Sequence, residues 1–267
     1  MTPAASHTSA ALRPAHLFAA PRDPPPDTCF WYHVMDVPGI GVTDGLWDLR
    51  GKFAEYIGNV PVEGRSVLDI GTASGFLSFE AEQAGASEVV SVDLAGGQNQ
   101  SLLPFKDKLY YRDRAAWIVE QTAHFEQWKN AYWIAHRAFK SRAKAYYGDA
   151  RDLPDELGTF DVAIVGAVLE HLPDSIAALH SVARRVDNTI VIHCEFLPTE
   201  DPIARFLGDA SRPEYDYSFW TYSLGVYRQI FRMLGFEIVR TVPGQFLYQH
   251  HQILATRTAI VAERVKS

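Results

Sequence analysis

The feature that most constrains this chain is an apolar run that stops at a loop bracketed by two glycines. Residues 67–70 read Val-Leu-Asp-Ile, the loop runs from Gly71 to Gly75, and a stretch of helix-forming composition continues to Gly85. This order predicts a strand, a tight loop and a helix. A second apolar run ends at Asp93, so an acidic residue also marks the next strand end. Because the carboxyl ends of parallel strands share one edge of a sheet, the pattern predicts a nucleotide-like cofactor site there.

Strand and helix signals alternate along most of the chain. The strand signals lie at residues 66–70, 88–93, 144–147, 160–165, 189–194, 236–242 and 258–263. The helix signals lie at residues 45–57 and 76–84, after a cap at Asp174, and between a cap at Ser223 and a stop at Gly235. Such alternation predicts an α/β fold with a doubly wound, mostly parallel, seven-stranded sheet and helices on both faces.

The interval between the second and third predicted strands is longer than the roughly one dozen residues that a crossover needs. It is rich in aromatic residues and holds three of the chain's six tryptophans. We therefore predict a helical insertion over about residues 95–143, which acts as a lid or as a contact between copies of a homo-oligomer. Residues 1–28 are rich in alanine, proline and serine and predict a disordered leader. Residues 29–267 then form a single domain.

The composition argues against several classes of protein. A formal charge of −7 over 267 residues gives no overall basic surface for nucleic acid. The two cysteines, Cys29 and Cys194, are too few for a disulfide framework, and their spacing does not predict a metal site. No apolar run reaches the roughly 18 residues of a membrane span. We expect a cytoplasmic protein without a metal or a membrane contact.

The loop at residues 71–75 narrows the kind of cofactor. A dinucleotide-binding loop reads Gly-x-Gly-x-x-Gly, and Ala73 stands where its middle glycine would be. A cofactor without phosphates therefore fits better than a nicotinamide or a flavin. Asp93 at a strand end offers a bidentate acceptor for a ribose diol, and Asp149 offers one for an exocyclic amine. Taken singly, each aspartate is equally well explained as a cap of a helix or turn.

Four motifs in order resemble the class I S-adenosylmethionine (SAM)-dependent methyltransferases. They are the glycine loop with its strand, the acid Asp93, the segment 148–150 and the fourth-strand segment 160–172. The resemblance implies a Rossmann-like methyltransferase fold with SAM as cofactor. For Asp69 it leaves two roles open, since this side chain either shapes the loop or touches the cofactor's amino group. The implied cofactor-binding residues are Asp69, Gly71, Ala73, Ser74, Gly75, Asp93, Leu94, Gly148, Asp149, Ala150 and Gly166.

A narrower resemblance extends over most of the chain after Cys29. Residues 31–33 (Trp-Tyr-His), 45–52, 158–161 and 219–220 resemble the branch near the bacterial tRNA wobble-uridine carboxymethyltransferases. Those enzymes bind an extra carboxylate on the cofactor with a basic residue and a tyrosine. Here Glu170 stands at the tyrosine position and would repel a carboxylate, and no lysine lies near residues 31–33. This departure implies ordinary SAM and plain methyl transfer.

The acceptor side is less defined by the sequence. His171 is the first candidate for the base because it follows the fourth strand, and Glu195 and His33 are rivals. His171 is as well explained by packing, and His193 reads as structural. We expect the acceptor to contact Trp31, Tyr32, His33, Glu170, Trp220 and Tyr222, although each aromatic residue is equally consistent with ordinary packing.

Three functions fit these observations. The leading one is O-methylation of a small hydroxylated metabolite, such as a sugar or another natural product. The alternative is modification of tRNA wobble uridine, because residues 95–143 hold eight basic residues against four acidic ones, with aromatics between them. A solvated helix face explains the same charges, so nucleic acid is the less favoured partner. The third is a SAM-binding scaffold without turnover.

Overall fold

The computed structural model describes residues 13–100, 114–208 and 218–266. The strands are β1 (His33–Val34), β2 (Asp36–Val37), β3 (Gly41–Val42), β4 (Trp47–Asp48), β5 (Ser66–Ile70), β6 (Glu88–Asp93), β7 (Lys144–Tyr147), β8 (Phe160–Gly166), β9 (Val186–Cys194), β10 (Ala204–Phe206), β11 (Trp220–Tyr222), β12 (Phe236–Tyr248) and β13 (Ile253–Arg264). The helices are α1 (Phe53–Tyr56), α2 (Phe76–Gln83), α3 (Arg114–Ala138), α4 (Ser175–Ala183) and α5 (Leu224–Met233).

Nine of these strands form one sheet in the order β1-β4-β12-β13-β9-β8-β5-β6-β7. The pairs from β9 through β8, β5 and β6 to β7 are all parallel. β13 joins β9 antiparallel, and β12 pairs antiparallel with β13. The predicted α/β fold with a doubly wound, mostly parallel sheet is confirmed, and the short strands β1 and β4 extend it beyond seven strands. The strand order jumps between β5 and β8, which is the switch point where ligands bind in such sheets.

Helices cover both faces of the sheet, as its apolar strands require. On one face, Phe76 and Phe79 of α2 pack in a core cluster with Tyr132 and Trp133 of α3. The other face packs against α4 and α5, whose apolar side chains are buried there. The predicted caps are present: Asp174 accepts from the amide of Ala177 and Ser223 from that of Val226. Apolar side chains on both faces of the sheet are therefore buried beneath helices.

Most predicted elements have the bounds that the sequence indicated, with two informative exceptions. The predicted helix over residues 45–57 is wrong except at Phe53–Tyr56, because β4 pairs instead with β12. The two late strands are much longer than predicted, since β12 continues to Tyr248 and β13 begins at Ile253. Of the residues predicted to form an insertion, Arg114–Ala138 form α3, and residues 101–113 lie outside the described residues.

The prediction of a disordered leader is wrong for residues 13–28, and residues 1–12 lie outside the described part. Arg13 binds the carbonyl of Thr159 at 2.7 Å and pairs with Glu88. The amide of Ala19 donates to the carbonyl of Ala145 in the edge strand β7 at 2.8 Å. The segment thus covers the otherwise unpaired edge of β7, and its own partly apolar residues gain a contact there. Within the described residues, no helix combines the length and apolar character that crossing a membrane requires.

Candidate cofactor and acceptor site

A cavity of about 900 Å³ lies at the carboxyl edge of the sheet. Residues at or just after the ends of β5, β6, β7, β8 and β9 line it: Gly71, Asp93, Gly148, Gly166 and His193. Helix α3 forms another wall, to which Gln121, His124 and Trp128 contribute. Ala73, Leu94, Asp149 and Ala150 also line the cavity, so the structure brings most of the predicted cofactor residues together.

Backbone conformation explains the two glycines of the loop. Gly71 has φ +77°, and a Cβ there would lie 2.3 Å from Cγ2 of Val168. Gly75 has φ +92°, and a Cβ there would lie 2.5 Å from the ring of Phe79. Gly71 keeps the cavity floor open, whereas Gly75 allows α2 to start against α3.

Ser74 lies beneath this loop. It is fully buried, and its hydroxyl accepts the amide of His33 at 3.1 Å. Ser74 and Gly75 therefore shape the loop from behind, while Gly71 and Ala73 face the cavity.

Asp93 ties three of the strand-end segments together. Its Oδ2 accepts the amide of Ala73 and its Oδ1 the amide of Leu94, each at 2.7 Å. The carbonyl of Asp93 accepts the amide of Gly148 at 2.8 Å. Burial raises the pKa of Asp93, although these amides and Lys129 oppose the rise. A carboxylate has about four lone-pair sites, so two of them remain for a ligand diol.

Asp69 lies under the loop and does not belong to the cavity lining. Its Oδ2 accepts the hydroxyl of Ser78 at 2.7 Å, and Ser78 in turn contacts Ser91 at 2.6 Å and Thr72 at 3.1 Å. Burial raises the pKa of Asp69 to about 6, and the hydrogen bonds from Ser78 and Thr72 limit the rise. Of the two roles left open for Asp69, these contacts support the shaping of the loop.

Asp149 lines the cavity, but Arg151 already holds its carboxylate. Nε and the amide of Arg151 each lie 2.9 Å from Oδ1 of Asp149. Burial raises the pKa of Asp149, and the contacts with Arg151 outweigh it, so the net pKa is lowered. The carboxylate is thus fixed in one orientation at the side of the cavity where we predicted an amine.

The structure places some predicted acceptor residues in the cavity and others in the core. Tyr32, His33 and Glu170 line the cavity. Trp31 instead packs against the core cluster that contains Phe76 and Phe79. The indole of Trp220 donates to the carbonyl of Pro173 at 3.1 Å, and Tyr222 lies 2.8 Å from the hydroxyl of Ser175. For Trp31, Trp220 and Tyr222 the ordinary packing alternative is therefore the one observed.

The two predicted catalytic groups differ in position. His171 lines the cavity at its exposed rim, with Nδ1 3.4 Å from the hydroxyl of Ser218. Glu195 lies outside the cavity lining and is 71% exposed, and its carboxylate contacts Arg257 at 3.2 Å. Arg257 itself lines the cavity. Glu195 is thus placed to orient Arg257, and the strand end directs its side chain away from the cavity.

Sequence reasoning missed the most enclosed part of the acceptor side. His193 was read as structural, yet it lines the cavity with its ring stacked on Tyr56 at a centroid distance of 3.6 Å. Burial, and secondarily Arg257, lowers the pKa of His193 to about 3, so the imidazole is neutral. Phe246 and Tyr248 line the same region. These two aromatic residues are spaced as on one face of a strand, and this spacing beyond residue 242 was the sequence signal that β12 continues.

The fold and the site together define the class of proteins that bind a nucleoside-type cofactor at the switch point of a doubly wound sheet. Within that class, a match to a family model identifies the family. The chain belongs to a family of methyltransferase domains, whose family model matches residues 5–241. Among the described residues, no group of three His, Cys, Asp or Glu side chains is arranged to hold a metal ion.

Curated relatives cover only part of this chain. The ribosomal protein L11 methyltransferases of two Vibrio cholerae strains are 32% identical to it over 75 residues. The match spans 28% of this chain and 24% of each relative, so the chain matches about a quarter of their length.

Solved structures share the fold at low sequence identity. Magnesium protoporphyrin IX methyltransferase from Synechocystis PCC 6803, with bound S-adenosylhomocysteine (SAH), superposes with a TM-score of 0.51 at 16% identity, over 81% of this chain and 82% of that one. The 1,6-didemethyltoxoflavin-N1-methyltransferase of Burkholderia thailandensis, with bound 1,6-didemethyltoxoflavin and SAH, superposes with a TM-score of 0.50 at 14% identity, over 82% of this chain and 78% of that one. The family assignment and a neighbour with bound SAH support SAM as the cofactor.

Proposed function

We propose that this chain transfers a methyl group from SAM to a small hydroxylated acceptor by O-methylation. One observation carries the proposal. A single cavity runs from the glycine loop and Asp93 to an enclosed region walled by Tyr56, His193 and Phe246. A nucleoside-type cofactor and a small second substrate would therefore meet in one space.

The residues at one end of the cavity fit SAM. Gly71 has no room for a side chain and exposes its backbone to the cavity. Asp93 retains acceptor capacity for a ribose diol, and Gly148 and Ala150 line the adjoining wall. The loop is fixed by the contacts of Ser74 and Asp69, so it needs little reorganisation on binding.

The protein's own part in the reaction is alignment and proton management. When bound, SAM supplies an electrophilic methyl group on a sulfonium, and the acceptor hydroxyl must lose its proton as the new bond forms. The enclosed walls hold the acceptor and exclude water. Four histidines line the cavity, and two of them are candidates to accept the hydroxyl proton: His193 in the interior and His171 at the rim. Burial keeps His193 neutral, so its ring has one nitrogen that donates and one that accepts a hydrogen bond.

The positions of basic side chains support a small acceptor over RNA. Lys129 is buried, with its ammonium 2.6 Å from the carbonyl of Ala95. Arg137 pairs with Asp23 in the segment before β1. Lys106, Lys108 and Arg112 lie outside the described residues. Lys129 thus serves an internal contact and does not face a polymer, whereas Arg137 is exposed and is paired with Asp23.

Two experiments test the proposal. Calorimetric titration with SAH should show one site per chain, and the absence of binding by a folded protein would refute the cofactor. Incubation of cell extract with methyl-deuterated SAM should then place the label in the small-molecule fraction. Label found only in RNA would refute the acceptor class. Asp93→Asn is the control that separates enzymatic from background labelling.

A further inference from the structure

We propose that the acceptor is a neutral planar aromatic compound bearing a hydroxyl, and that its hydroxyl binds between Glu170 and His193. The inference rests on the proposed function and deepens it by naming the class of acceptor. Three properties of the acceptor end of the cavity support this inference: the rings of its walls, two buried polar atoms and the sign of a nearby charge.

The first property is the density of rings. His193, Tyr56 and Phe246 form one group, in which Phe246 lies edge-on to Tyr56 at 5.3 Å and to His193 at 4.9 Å. Trp47 and Tyr248 form a second group at 4.9 Å. All five side chains line the cavity. Aromatic rings prefer offset-stacked or edge-to-face partners, so these walls suit a flat apolar ring.

The ring orientations are set by the sheet. Phe246 and Tyr248 are two residues apart on β12 and so face the same side. Tyr248 pairs with Trp47 in the register of β12 and β4. His193 is the next-to-last residue of β9 and lies opposite Gly166 of β8. A Cβ added at Gly166 would lie 3.0 Å from the hydroxyl of Tyr56. These walls are therefore preformed and need no ligand to assemble them.

The second property is a pair of buried polar atoms. Oε2 of Glu170 and Nε2 of His193 are buried, and neither has a hydrogen-bond partner in the part of the chain that the structure describes. Leaving such atoms without partners is costly, especially for a carboxylate. Both side chains are walls of the cavity. A ligand hydroxyl supplies both a donor and an acceptor, which is what a carboxylate and a neutral imidazole require.

The third property, the positive charge of Arg257, disfavours a cationic ligand, and the apolar rings of the walls disfavour a sugar. Arg257 lines the same end of the cavity and lies 5.9 Å from the ring of Trp47. A cationic acceptor would be attracted to Glu170, but it would also meet the sulfonium of the cofactor and this guanidinium, which Glu195 contacts at 3.2 Å. An ammonium group only donates hydrogen bonds, whereas a hydroxyl both donates and accepts, so an amine is disfavoured. A sugar carries several hydroxyls, and each one buried among rings without a partner is costly. A ring with one or two hydroxyls matches the few polar groups of these walls.

Ligand-observed NMR tests the proposal without a known substrate. Saturation transfer is measured on the SAH-saturated protein with 2-naphthol, decahydro-2-naphthol, 2-methoxynaphthalene, 2-naphthylmethylamine and methyl glucoside. The first two probes differ in ring planarity and in the acidity of the hydroxyl, the first and third chiefly in the donor, and the first and fourth chiefly in charge. We expect 2-naphthol to bind most tightly, with a preference of about tenfold over its methyl ether for a hydrogen bond to a charged group.

A variant pair links the binding to Glu170. Glu170→Gln should reduce the preference for 2-naphthol over its methyl ether by about fivefold, because a charged acceptor becomes a neutral one. Asp44→Asn is the matched control, since the Asp44 side chain is 93% exposed and lies outside the cavity lining. Retention of SAH affinity by Glu170→Gln shows that the variant is folded.

The outcomes separate the inference from the function on which it rests. Tighter or equal binding of the saturated alcohol, the glucoside or the amine overturns the inference. Absence of 2-naphthol binding to protein that binds SAH also overturns it, while the methyltransferase proposal stands. Failure of the folded wild-type protein to bind SAH overturns the proposed function itself.

Discussion

The carboxylate of Asp93 and the backbone amide of Ala73 are joined by a hydrogen bond of 2.7 Å. This contact connects the end of β6 to the loop that follows β5, so the acid that we assign to the ribose also holds the glycine loop. Shape and ligand recognition therefore depend on the same side chain. The loop residue Ala73 has φ 48°, a left-handed conformation that the contact helps to maintain.

Replacement of Asp93 by asparagine should weaken SAH binding by about 10- to 100-fold, the effect of removing charge from a hydrogen-bonded acceptor. Isothermal titration calorimetry measures the change. Asp44→Asn is the control, because it removes the same charge from a side chain that is 93% exposed. Equal SAH affinity in the two variants would contradict the assignment of Asp93.

Gly71→Ala should abolish detectable SAH binding. Its Cβ would lie 2.3 Å from Val168, at a backbone φ of +77° that disfavours any side chain. The control is Gly64→Ala, at φ +69° with nothing within 4 Å of the new Cβ. That control costs only the left-handed conformation, about 1–2 kcal/mol. Calorimetry with SAH, alongside urea unfolding, separates the two effects, and normal binding by Gly71→Ala would be inconsistent with a loop that approaches the cofactor closely.

The sequence was sufficient for the parallel half of the fold because its signals are local. Residues 66–70, 88–93 and 144–147 are short apolar runs that end at acids or glycines, and the structure has strands with these bounds. The glycine loop and Asp93 follow those strands directly, so their shared position at the sheet edge could be predicted. The helix at residues 45–57 was wrong because the pairing of β4 with the distant strand β12 overrides local spacing.

The acceptor end could not be predicted in the same way because it depends on long-range pairing. His193 faces the cavity only because β9 is aligned with Gly166 of β8. Phe246 and Arg257 enter it because β12 and β13 extend as one long hairpin. Tryptophan alone was a poor guide, since Trp31 and Trp47 both pack against the same core cluster, and of the two only Trp47 lines the cavity. Aromatic residues predict burial, and the topology decides which of them meet a ligand.

Tyr132→Phe should destabilise the fold and loosen the cofactor loop. The hydroxyl of Tyr132 on α3 lies 3.0 Å from that of Ser91, and Ser91 leads through Ser78 to Asp69. Loss of one buried hydrogen bond from this series of side chains should lower the unfolding free energy by about 1 kcal/mol. Urea unfolding measures it, with the half-buried Tyr146→Phe as control. A Tyr132→Phe variant as stable as the Tyr146→Phe control would show that this series of hydrogen bonds contributes no stability.

Acidification should destabilise the fold through two buried histidines, His33 and His193, with buried Asp69 opposing them in part. Burial lowers the pKa of His33 and of His193 from 6.5 to about 3, with Arg257 adding to the effect at His193. Burial raises the pKa of Asp69 from 3.8 to about 6. Between about pH 4 and 6 the unfolded chain therefore binds two protons on these histidines that the folded protein does not bind. The folded protein binds one on Asp69 that the unfolded chain lacks.

Over these three groups, the unfolded state binds one proton more than the folded state. Each histidine contributes stability that is fully present above pH 6.5 and is lost as the pH falls, and Asp69 opposes one of them. These groups should thus lower the unfolding free energy by about 1.4 kcal/mol per pH unit on acidification. His193→Asn should reduce the measured slope by that amount, because the contributions of all other groups are common to both proteins. Urea unfolding at intervals across this window gives both slopes, and equal slopes would mean that His193 is not held neutral by the fold.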